Sequence, residues 1–242
     1  MQTLHSLLLG RGMSCGLSLC ENESEIRRLT KDPAGLVVLD ARDFSPEEFS
    51  AKVIALDNRS PSRAQDKRSV YHDTIPHPDA ADVLGNCLID PAIAVLAGAS
   101  ASSQADPSIR NDEIVIYAGR QALPAFLSQF AASHPGACIF RELELSRAAF
   151  LDRLARAAAV VSYFGMTILE AMYLRKPAAL FSINSEIHDK LSLHLQEQCA
   201  VPFVRSIPEL ENALIGPPSQ CVPGKDGYNR LIALIEKTAE AA

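Results

Sequence analysis

The 242-residue chain is 48% apolar and 21% charged, with a formal net charge of -6 and a pI near 5.5. That length can bury one sizeable core or two small ones, and the acidic balance, with no Lys/Arg run, leaves no electrostatic footprint for a nucleic-acid partner. The longest apolar stretches, around residues 7–9, 91–99 and 157–161, fall far below the roughly 20 residues of a bilayer-spanning helix, so no membrane span is expected.

Taken from the N-terminus, residues 4–9 read as a strand. No basic region precedes them, and Leu19 is too large for the position before Cys20 in a lipoprotein cleavage site, so a cytoplasmic location is expected. A helix over 22–30 and strand-like runs at 35–40, 52–57 and 69–72 follow, giving an abbreviated first half. Residues 98–107 form a small-residue, low-complexity stretch that marks an expected boundary between domains 1–105 and 106–242.

From residue 113 onward, short apolar runs alternate with segments of helical period, the signature of a parallel sheet covered by helices. Strands are expected at 113–119, 137–143, 159–164, 177–183 and 201–206. Helices are expected at 121–133, 146–157, 166–174, 187–198 and 208–214, with Ser146 and Ser206 as caps. A last helix over 226–241 follows the Gly216-Pro217-Pro218 loop and has the option of packing back across the boundary. The expected fold class is therefore α/β, with two Rossmann-like domains of which the first is abbreviated.

Several features carry little chemistry. The six cysteines, Cys15, Cys20, Cys87, Cys138, Cys199 and Cys221, form no CxxC pair and read mostly as small buried hydrophobes. Asn22-Glu23-Ser24 and Asn58-Arg59-Ser60 match a glycosylation triplet that arises often by chance. His72 and His77, with Asp73 and Asp79, match no metal-ligand spacing, so neither a metal nor another cofactor is expected. Gly10-Arg11-Gly12-Met13-Ser14-Cys15-Gly16 follows a strand-like run, with Asp40 at roughly fingerprint distance, but its third glycine falls one position late. A structural turn is the main reading of that run and an NAD-binding Rossmann protein the minor alternative.

The stretch from Val160 through Gly165-Met166-Thr167 and Leu169-Glu170-Ala171 to Lys176-Pro177 is the most informative. It reads as strand, glycine turn, helix, proline, strand. Gly165 lets the backbone approach a ligand, and the free N–H groups of the following helix form a phosphate cradle. Thr167 and Glu170 share one helical face, and side chains there lean toward the helix start, where Glu170 is positioned to take a ribose hydroxyl. Taken alone, the pattern also fits a tight-turn glycine and a solvated helix acid.

The whole stretch resembles the motif of GT-B nucleotide-sugar enzymes, in which a strand, a Gly-Thr/Ser turn and a Leu-Glu-Ala helix precede a Lys-Pro that opens the next strand. It is similar to the lipid II N-acetylglucosaminyltransferases and to the UDP-sugar hydrolases of pseudaminic acid synthesis. The resemblance implies that Glu170 holds the ribose and that the Gly165 turn faces the diphosphate. It extends to Asn184 and His188 after the fourth strand of the second domain, and to Gly119 and Arg120 after its first. In the first half, the strands ending at Asp40 and at Asp57-Asn58 are similar to those of the hydrolases, which makes Asp40, Asp57 and Asn58 expected cleft residues.

The chain also departs from that family. Ser185 replaces the usual glutamine, Phe164 a second glycine, and Arg175 the glycine before Lys-Pro. The Gly-x-Gly-His element with its catalytic histidine is not found, so no catalytic residue is assigned. Two readings stay open: a glycosyltransferase or nucleotide-sugar hydrolase, and a catalytically inactive homologue that binds a nucleotide sugar or a partner protein.

Overall fold

The computed structural model describes residues 1–18, 23–29, 36–40, 51–57, 69–77, 84–103, 112–142 and 144–240. The chain is α/β with parallel sheets and divides into two compact units: Met1–Ile75 with Asp226–Ala242, and Pro76–Lys225.

In the smaller unit, helix α1 (Gln2–Gly10) and helix α2 (Glu23–Leu29) precede strands β1 (Leu36–Leu39), β2 (Lys52–Leu56) and β3 (Val70–His72). The three strands pair in parallel in sequence order. Leu39, Val53 and Ala55 form a buried cluster against Ile26, Val37 and Tyr71. Residues 4–9 are helical rather than extended: Leu4 and Leu8, one turn apart, are buried, whereas Leu9 is 49% exposed. Leucine favours a helix, and a strand would have put Ser6, which is exposed, on the same face as Leu4 and Leu8. The Gly10-to-Gly16 run therefore follows a helix, and the strand that a dinucleotide fingerprint requires before it is missing.

Directly after β2 comes Asp57, whose backbone is left-handed (φ 48°) and whose side chain is buried. Its carboxylate accepts the backbone N–H of Thr74 at 2.7 Å and of Ile75 at 3.0 Å, together with the Thr74 hydroxyl. Asp57 thus fixes the exit of β3 and does not face solvent as a cleft residue.

In the larger unit, helix α3 (Pro91–Ser103) leads to β4 (Ile114–Gly119), α4 (Ala125–Ser133), β5 (Ala137–Arg141), α5 (Arg147–Arg156) and β6 (Ala159–Ser162). Then come α6 (Met166–Tyr173), β7 (Ala178–Phe181), α7 (Glu186–Cys199), β8 (Phe203–Val204) and α8 (Ile207–Ile215). The chain continues into α9 (Gly227–Glu240), which contacts β1 of the smaller unit. The five strands are all parallel, in the order β5-β4-β6-β7-β8. Every residue of β6 and β7 is buried, as strands covered on both faces require. Ser146 and Ser206 accept hydrogen bonds from the N–H groups of Ala149 and Glu209 and so cap α5 and α8.

The division between the units falls at Ile75/Pro76 and Lys225/Asp226. Residues 98–103, expected as linker, complete α3, which packs on α5 and α6 of the larger unit.

Replacing Asp57 by Asn keeps its size and its tolerance of a left-handed backbone while removing the charge that three donors share. Asp57→Asn is expected to lower the unfolding free energy by about 1–3 kcal/mol in urea titrations; a change below about 0.5 kcal/mol would show that the cap is not needed.

Candidate functional site

The order of the larger sheet reverses between β4 and β6: β5 follows β4 on one side, while β6, β7 and β8 build outward on the other. Connections leave such a point in opposite directions, opening a crevice at the strands' carboxyl ends where α/β proteins hold ligands. Gly119 ends β4 on one side of that point, and Gly165 follows β6 on the other.

Gly119 is left-handed (φ 57°), and a Cβ there would lie 2.5 Å from the Tyr163 hydroxyl oxygen. The glycine is needed for its backbone and for the ring that lies over it. Tyr163 reaches across the crevice, stacking on Tyr117 (centroids 6.3 Å apart) and meeting Phe181 and His188 edge-on at 6.1 and 6.0 Å. Burial raises the pKa of both tyrosines, so the phenols stay protonated near neutrality.

Gly165 differs. Its backbone is extended (φ 169°), a conformation open to any residue, and among the described residues a Cβ would meet only the Tyr163 ring, at 3.9 Å. Neither strain nor crowding demands glycine here. Among the described residues no side chain caps the helix that it opens, so the first N–H groups of α6, including those of Met166 and Thr167, have no side-chain partner from the cap. Thr167 itself is largely buried, at 6% exposure.

After β7, Asn184 takes a left-handed conformation (φ 57°), which asparagine tolerates, and its N–H donates to Ser182 Oγ at 3.0 Å. Ser182 Oγ donates in turn to Asp189 at 2.7 Å, while Ser185 Oγ lies 3.0 Å from His188 Nδ1. Tyr163 thereby joins Gly119 and His188 at the edge that carries Gly165. Arg120 is 75% exposed and pairs with Glu142 at 2.6 Å, so its charge is shared and screened. In the smaller unit, Asp40 is exposed after β1; Asn58 lies outside the described residues.

Glu170 lies within the larger unit, its side chain only 1% exposed. One carboxylate oxygen is bound to the Arg147 guanidinium, and the other, also buried, has no partner among the described residues. Arg147 is half-exposed and also reaches Asp90 at 3.3 Å; Asp90 in turn accepts the N–H of Ala92 at the start of α3. Burial pushes the Glu170 carboxyl up to about 7, against the pull of Arg147 and with the push of Asp90. Burial also opposes the Arg147 charge, but the two acids outweigh it and move its pKa upward. The desolvation falls on the glutamate because its partner keeps one face in water, so the pair is best described as a permanently charged arginine beside a carboxyl that titrates near neutrality.

Sequence reasoning missed Arg147, Asp90 and Tyr163. The one legible signal was Arg147 itself, a cation in the first turn of a helix, where the macrodipole disfavours it unless carboxylates are near. No family model matches the chain, and no curated protein matches it.

The pH dependence of stability tests the buried carboxyl. In the unfolded chain Glu170 ionises near its ordinary 4.5, while in the folded chain it holds its proton to about 7. Its contribution is therefore full below pH 4.5, falls as pH rises through 4.5–7 and is lost above. Relative to Glu170→Gln, the natural protein should lose roughly 3 kcal/mol across that window in urea unfolding. A difference that stays constant with pH would place the carboxyl in water.

Proposed function

We propose that the larger unit binds a nucleotide sugar at the carboxyl edge of its sheet. The protein would then be a GT-B-like, two-domain component of glycan biosynthesis with an abbreviated first domain, acting in the cytoplasm. The observation that carries this reading is the pair Gly119 and Gly165 on either side of the strand-order reversal, the second opening a helix with no side-chain cap. A diphosphate laid across Gly165 meets N–H groups pointing outward and the positive end of the α6 dipole. The missing Cβ at Gly165, required by nothing among the described residues, leaves room for its oxygens. The same donors would stabilise the charge that builds on a leaving diphosphate during glycosyl transfer or hydrolysis.

The ribose role of Glu170 comes at a condition. With one oxygen on Arg147 and the other buried, the carboxylate reaches a ribose hydroxyl only by giving up or sharing the arginine. The absence of the Gly-x-Gly-His element favours binding without catalysis over turnover, and no residue here is assigned as a base.

Thermal-shift titration with UDP, UDP-N-acetylglucosamine and the GDP- and CMP-sugars tests the proposal. A ligand at about 100 times its Kd should stabilise the protein by roughly 2.7 kcal/mol. Gly165→Ala should leave the unliganded Tm unchanged, because its backbone and surroundings accept a Cβ, while weakening nucleotide affinity about tenfold or more. No shift with any of these compounds, or full affinity in Gly165→Ala, would overturn the reading.

A further inference from the structure

We propose that Cys199 and Cys221 form a redox-active thiol pair, which a small-molecule disulfide such as oxidised glutathione converts into an internal disulfide. The pair lies where α7 ends and β8 is about to begin, at the amino edge of the sheet, away from the glycines discussed above, and the inference does not depend on the nucleotide reading. Ser219 brings the two segments together. Its hydroxyl donates to the Cys199 carbonyl at 2.7 Å and accepts the Cys221 N–H at 3.2 Å, with the Cys221 carbonyl at 3.4 Å. The Cys221 thiol donates to the carbonyl oxygen of Gln198, the neighbour of Cys199 in the chain, at 3.3 Å.

The loop that carries Cys221 is braced from further sides. The Arg175 guanidinium donates to the carbonyls of Ser219 and Gln220 at 3.4 and 3.3 Å, and the Gly224 N–H donates to the Leu84 carbonyl at 2.7 Å. Gly224 itself sits so close to Gly85 that a Cβ would come within 2.9 Å of its backbone. A loop held at this many points keeps its thiol beside Cys199 at little entropic cost.

The two sulfurs have different tasks. Cys221 is part-exposed, whereas Cys199 is 4% exposed. The Cys221 thiolate attacks one sulfur of oxidised glutathione and expels a glutathione thiolate, leaving a mixed disulfide on Cys221. Cys199 then gives its proton to solvent and attacks Cys221 Sγ, expelling the second glutathione; two protein thiols are oxidised and one glutathione disulfide is reduced to two thiols. Burial first, and then the adjacent Cys221 and Cys87, push the Cys199 thiol up to about 12. The second step is therefore the slow one, and its rate should rise about tenfold per pH unit between neutrality and the thiol's pKa.

The test treats the folded full chain with oxidised glutathione, quenches with acid, alkylates the remaining thiols after unfolding and maps tryptic peptides. Cleavage after Lys190, Arg205 and Lys225 places the two cysteines on separate peptides, 191–205 and 206–225. The expected result is one joined pair of those peptides, reversed by dithiothreitol. Closing the loop should also raise the Tm by roughly 5 °C. Cys199→Ser should stop at the mixed disulfide on Cys221, and Cys221→Ser should give no internal link. Peptides that stay separate, a link to Cys87, or links only between chains would overturn the proposal; mapping of the natural protein decides this whether or not either variant folds.

Discussion

A carboxyl that cannot reach water organises one face of the larger unit. Glu170 belongs to α6, the Arg147 that answers it opens α5, and Asp90 on the other side of the guanidinium stands before the first residue of α3. Three helices meet through one arginine, and α3 packs on both of the others. Burying a carboxyl is costly unless it is paired or protonated, and here both remedies are in place. Arg147 is held against the dipole of its own helix by the two acids, so the register of α5 against α6 depends on the same contact. An apolar contact at this point would pack as well, but it would not fix the helices in a single relative position so directly.

The same arrangement supports the crevice beside it. Tyr117 lies on Phe150 of α5, and Tyr163 lies on Tyr117, so the ring above Gly119 is supported from the helix that Arg147 begins. Glycine at 119 is a condition of that packing, while glycine at 165 is not a condition of any packing. The contrast separates two reasons for a glycine that look identical in sequence.

Much of the larger unit was legible because its strands are short, apolar on both faces and evenly spaced. The expected strand at 159–164 contains β6, and both serine caps act as the pattern required. The smaller unit was harder: six residues at 4–9 are too few to show a helical period, and apolar side chains alone do not distinguish a buried strand from a helix. Residues 98–103 are ambiguous for another reason, since a run of Gly, Ala and Ser fits a linker and the end of a helix alike. The ion triad left only the cation in the first turn of α5 as a local sign, because Arg147 finds its partners 57 and 23 residues away. Side-chain chemistry set by tertiary neighbours leaves little local trace, and the thiols at Cys199 and Cys221 are a second instance.

The discontinuity of the smaller unit has a consequence for how the protein is made. Its sheet and first two helices are synthesised early, yet α9, which lies against β1, is separated from them by the whole of the larger unit. On the ribosome, β1 to β3 must wait with part of their apolar surface uncovered, while Pro76–Lys225 is contiguous and free to condense once it has emerged. The order of appearance in the polypeptide is thus opposed to the order of completion: the portion translated first is the last to close. Leu231, Ile232 and Ile235 become available to be buried against it only after the whole of the larger unit has been synthesised.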